Sequence, residues 1–198
     1  MIRRHLLATL TLAAAGAAAP ALATDLPLPG NGQWLSFAVD SFLSEAGVGT
    51  GWIDDAGAPL TFSFAIGAGM RGTLTVVDAA FAGDSFSVSN FGVLLGLTSS
   101  VPVGRFESAV DVGTDFNAAL ADTRFSRGVF SLGSGSYRIG GALAQSVTLG
   151  GAPLNATVGG LRLDVAVAPV PEPSSLAMLF AGFGVTGLLI RRRRAIRR

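Results

Sequence analysis

Ser85-Phe86-Ser87-Val88-Ser89 decides the fold. Polar and apolar residues alternate strictly, so an extended backbone places Phe86 and Val88 on one face and the serines on the other. A helix would scatter the same residues around its circumference. Thr61-Phe62-Ser63-Phe64-Ala65-Ile66 repeats the pattern, with Phe62, Phe64 and Ile66 on one side, and Tyr137 and Ile139 alternate with Arg138 in the same way. Working outward, β-branched and aromatic content predicts strands at Gln33–Val39, Leu60–Ile66, Gly72–Asp78, Ser85–Ser89 and Val93–Leu97. Further strands follow at Gly128–Leu132, Ser136–Gly140, Ala144–Leu149 and Leu161–Ala168. Gly or Asp punctuates the junctions, as in Asp54-Asp55-Ala56-Gly57, Ala82-Gly83-Asp84 and Gly133-Ser134-Gly135. Many short strands closely spaced along the chain predict an all-β domain, an antiparallel β-sandwich of jelly-roll-like form, over residues 24–169. A parallel α/β fold needs repeated helices, and the sequence offers one short candidate, Thr114–Asp122, with Thr114 placed to cap it.

The ends of the chain are of a different kind. Arg3 and Arg4 precede an apolar stretch from Leu6 to Ala19, and Ala21-Leu22-Ala23 has the small-x-small form of a signal-peptidase site. Residues 1–23 are therefore expected to be a cleaved signal peptide, with Thr24 the first mature residue. At the other end, Pro171-Glu172-Pro173 stands before an uncharged run from Ser174 to Ile190. As a helix that run spans roughly 25 Å, the lower limit for crossing a bilayer's hydrocarbon core. Arg191, Arg192, Arg193 and Arg194 follow at once, with Arg197 and Arg198 beyond. Such a cluster resists translocation and orients the preceding domain outward. The two prolines keep the Pro-Glu-Pro segment out of the helix, as an extended peptide that a membrane enzyme can grip.

Val170–Arg198 resembles the PEP-CTERM sorting signal of Gram-negative, exopolysaccharide-producing bacteria. All three parts stand in order: the Pro-Glu-Pro motif, a short transmembrane helix over residues 174–190 and an Arg-rich end over residues 191–198. The resemblance implies an exported protein whose tail is recognised and removed by exosortase, an integral-membrane cysteine enzyme, through Pro171, Glu172 and Pro173. Within the domain, Gly72 to Asp78, Phe81 to Phe86 and Gly92 to Gly96 are similar to a pattern spread through PEP-CTERM exported proteins, as is Phe125-Ser126-Arg127-Gly128. That second similarity implies a shared β fold and carries no activity with it.

Charge and inventory narrow the function. Residues 24–169 hold six arginines against twelve acids, a net charge of −6 that disfavours nucleic acid as a partner. The chain has no Lys and no Cys, and its one histidine, His5, lies in the expected signal peptide. The domain therefore lacks the residues for Ser-His-Asp catalysis, thiol chemistry, Schiff-base chemistry and His- or Cys-ligated zinc, and the sequence points away from an enzyme.

Two clusters remain as candidate sites. Asp78 and Asp84 bracket a short loop that can bring both carboxylates together, and backbone carbonyls can complete a structural calcium site. The alternative is that aspartate favours turns for its own hydrogen bonds. Trp52 stands beside Asp54 and Asp55, a glycan platform if the ring is exposed. A lone Trp in a β domain is more often core. The sequence thus predicts a non-catalytic exported protein handled by signal peptidase and exosortase. It is anchored transiently in the inner membrane, then placed at the cell surface or in the matrix with exopolysaccharide or biofilm. The alternative is a carbohydrate-binding module.

Overall fold

A computed structural model describes residues 23–169. Residues 1–22 of the expected signal peptide, Ala21 among them, and the segment bearing Pro171, Glu172, Pro173, the helix expected over residues 174–190 and the arginine cluster lie outside the described residues.

The alternating stretches become strands whose apolar faces meet. Strands β1 (Thr24–Pro27), β3 (Leu60–Ile66), β5 (Ser85–Asn90), β6 (Val93–Leu97) and β8 (Gly135–Gln145) form one sheet, in the order β1-β3-β8-β5-β6. Strands β2 (Leu35–Asp40), β4 (Met70–Asp78), β7 (Arg127–Leu132) and β11 (Ala156–Val167) form the other, in the order β2-β11-β4-β7. A two-stranded ribbon, β9 (Thr148–Leu149) with β10 (Ala152–Pro153), stands apart. Phe62, Phe86, Val88 and Ile139 from the first sheet share one core with Phe37, Leu74, Val76, Leu161 and Leu163 from the second. The fold is an all-β sandwich.

Between the strands of the two sheets the pairing is antiparallel except at one place. β1 runs parallel to β3, from Thr24 opposite Leu60 to Pro27 opposite Ser63, one parallel strand pair within the antiparallel sandwich. Parallel pairing requires a long connection, and residues 28–59 supply it by crossing to the other sheet as β2 and returning.

The helix is also shorter than its sequence pattern suggests. α1 spans Phe116–Ala121, and its cap is Asp115 rather than Thr114: Asp115 Oδ1 accepts the Ala118 N–H at 2.9 Å. α1 covers the outer face of the four-stranded sheet, where Phe116, Leu120 and Trp34 pack around buried Val77, Ala79 and Phe125. Gly160 leaves room for the Phe116 ring, which a Cβ there would strike.

Candidate functional site

Three strands carry their core-facing rows past the end of the apolar core, and each row ends in an oxygen. On β4 the buried row Leu74, Val76 continues to Asp78. On β11 the row Leu163, Leu161, Gly159 continues to Thr157, with Gly159 directly opposite Asp78. Ahead of β5, Asp84 is in step with Phe86 and Val88. Asp78, Asp84 and Thr157 are buried, at 0%, 1% and 8% exposure. The two aspartates singled out in the sequence are therefore brought together. Thr157 was missed, although its parity with Leu161 and Leu163 marks it.

Each carboxylate is half satisfied. Asp78 Oδ2 accepts the N–H of Gly83 at 3.3 Å and of Asp84 at 3.2 Å, closing the β4–β5 loop. Asp84 Oδ1 accepts the N–H of Val147 at 2.6 Å, tying the loop to the chain after β8. The second oxygens, Asp78 Oδ1 and Asp84 Oδ2, and the Thr157 hydroxyl are buried without a hydrogen-bond partner among the described residues. Gln145 on β8 lies at the same end, donating from Nε2 to the carbonyls of Gly83 and Val101 at 2.8 and 3.0 Å.

Electrostatics follow from that burial. Removal from water, reinforced by the neighbouring Asp84 charge, pushes Asp78 up to about 9 despite its backbone donors. Burial raises Asp84 to about 6, opposed by the nearby Thr157 hydroxyl and the Val147 N–H. The ion pairs among the described residues, Arg124–Asp122, Arg138–Asp25 and Arg162–Asp164, involve other acids.

The glycan platform at Trp52 is corrected. The indole is 2% exposed, so it offers no face to a sugar. It lies between the sheets against Phe37, Phe62 and Phe86, and Gly141 approaches so closely that a Cβ there would meet the ring. Trp34 and Tyr137 do not join it: Trp34 donates from Nε1 to Asn117 Oδ1 at 3.0 Å beside α1, and Tyr137 stacks on Phe64. Asp54 is a turn residue. Its carboxylate accepts the Thr24 hydroxyl at 2.6 Å and the N–H groups of Ala56 and Ala58, and the Thr24 bond chiefly holds its pKa below the usual value. Asp55 stays exposed. Both acids line an open cleft of about 530 Å³ that also takes in Phe81, Phe106 and Thr157.

The described domain ends just ahead of the Pro-Glu-Pro segment: β11 stops at Val167, and only Ala168 and Pro169 follow before Val170. The family model of the PEP-CTERM protein-sorting motif matches residues 169–194. The chain ends in a PEP-CTERM sorting motif. It is thereby marked as an exported protein, sorted by exosortase and held transiently through its C-terminus. The PEP-CTERM motif occupies the tail and leaves the β domain outside the matched residues. No curated protein matches the chain. Among solved structures, the chain is similar to the pre-peptidase C-terminal domain of collagenase from Bacillus anthracis, at 8% identity and a TM-score of 0.37. The match covers 74% of this chain and 98% of that one.

Proposed function

We propose that the protein is a non-catalytic component of the cell surface or extracellular matrix, released from the inner membrane by exosortase and associated with exopolysaccharide or biofilm. The observation that carries this reading is the junction. The sorting motif begins at residue 169, two residues beyond the last residue of β11. Processing there frees the sandwich almost without a tether, as suits a domain whose task begins after release. The residue inventory supports the absence of catalysis, since the domain carries no His, Cys or Lys.

Replacing Pro171, Glu172 and Pro173 together with alanine tests the mechanism. The triple variant should accumulate at full length in the inner membrane, because the extended recognition segment is lost. Normal processing and release of that variant would contradict the reading.

The cleft holding Asp54 and Asp55 favours a second reading, a carbohydrate-binding module. Sugar hydroxyls would donate to the exposed Asp55 carboxylate, and the apolar C–H face of the sugar would pack on Phe81 and Phe106, whose rings lie 4.4 Å apart at 51°. A glycan array followed by calorimetry separates the two. A module gives saturable binding that Asp55→Ala abolishes with the fold intact, and a structural component gives none.

A further inference from the structure

We propose that Asp78, Asp84 and Thr157 form a buried all-oxygen site for a divalent hard cation, Ca²⁺, at one end of the sandwich. The argument begins with what burial demands of a carboxylate. An ionised acid removed from water is paired with a cation, coordinates a metal or takes up a proton. Among the described residues the ion pairs lie at other acids. Three buried oxygens without hydrogen-bond partners among the described residues lie at this end of the sandwich: Asp78 Oδ1, Asp84 Oδ2 and the Thr157 hydroxyl, with Thr157 beside Asp84 and Asp84 near Asp78. They come from three separate stretches of chain, β4, the residue before β5, and β11. A turn that used its aspartates only for local hydrogen bonds would leave neither a second oxygen buried nor a distant threonine aimed at it.

The donor set selects the ion. Carboxylate and hydroxyl oxygens suit hard cations, and the absence of Cys and His from the domain removes the softer ligands that zinc or copper prefer. Mg²⁺ demands near-ideal octahedral geometry and keeps its waters, whereas Ca²⁺ accepts six to eight oxygens in irregular arrangements, including backbone carbonyls and waters. The surrounding backbone is already fixed: the opposite oxygen of each aspartate is held by the N–H groups of Gly83, Asp84 and Val147. A cation here would tie the β4–β5 loop in the space between the sheets to β11. Such a site suits a domain that functions outside the cell, where modules bind calcium at about 10⁻⁴–10⁻³ M.

The test is calorimetry and thermal denaturation on the full chain in detergent, first stripped with chelator and then titrated with CaCl₂ or MgCl₂. The expected result is one saturable calcium site, a higher Tm in calcium than in chelator, and a response to magnesium at least about tenfold weaker. Asp84→Asn and, separately, Thr157→Val should each weaken calcium binding, the first by about tenfold or more. Thr157→Val is the gentler change and keeps the assignment testable if the aspartate variant does not fold. No calcium heat together with identical Tm values in calcium and chelator would overturn the proposal and leave a proton-bearing acid pair in its place. Calcium affinity unchanged in both variants would equally overturn it.

Discussion

Trp52 lies flat on Phe37, with ring centroids 3.8 Å apart and planes within 16° of parallel. Phe86 meets both rings edge-on, at 5.0 Å from Phe37 and 6.4 Å from Trp52. This aromatic cluster joins β2 and β5, one strand from each sheet, through a residue of the connection between β2 and β3. Removing the indole should leave a cavity that such rigid neighbours cannot close. Trp52→Ala should therefore destabilise the domain by about 3–5 kcal/mol, measured by chemical denaturation. A change under about 1 kcal/mol would mean that the ring contributes little to the core.

The acid pair makes stability depend on pH in an unusual direction. Both folded-state pKa values, about 9 for Asp78 and about 6 for Asp84, lie above the ordinary aspartate value of 3.8. The folded domain thus holds protons that the unfolded chain has already released. The stabilisation is complete below about 3.8 and is lost as pH climbs through 6 and then 9. In chelator, the melting temperature should fall between pH 5 and pH 9, and Asp78→Asn, which cannot ionise, should remove the upper part of the fall. A melting temperature that rises or stays flat across that window would contradict the account of these two groups.

Much of this architecture was legible in the sequence because it rests on local alternation. The bounds of β3 and β6 coincide with those read from Leu60–Ile66 and Val93–Leu97. What escaped was set by distant chain. β1 is short, largely exposed and ends at Pro27, so it has no alternation to read, and only its pairing with β3 makes it a strand. β8 read as the strand Ser136–Gly140 and the start of a second, Ala144–Leu149, yet it runs unbroken from Gly135 to Gln145 through Gly140 and Gly141. Gly141 stays in the ladder because Trp52 packs against it from the connection between β2 and β3, which no local pattern announces. The burial of Trp52 was open for the same reason. The acidic site was half legible: the loop from Asp78 to Asp84 is local, whereas Thr157 joins it only through the register of β11 against β4.

β6 is an edge strand of the five-stranded sheet and exposes Val93, Leu94 and Leu97, each at least 60% accessible, with Phe91 at the hairpin tip. No charged residue occurs from Ser85 to Gly104. An apolar edge without charge is a template for unwanted strand pairing. Leu94→Lys with Leu97→Lys should reduce concentration-dependent light scattering and change stability by no more than about 0.5 kcal/mol per site. Unchanged scattering would show that this edge does not drive association.

The central claim is that the tail is a processing signal, and intact mass spectrometry of the native protein, in cells with and without exosortase, tests it most directly. With the enzyme present, the account predicts a released species that begins at Thr24 and lacks residues 174–198. Without the enzyme, the species should keep that tail and remain in the membrane fraction. Identical masses and locations in the two strains would contradict the account.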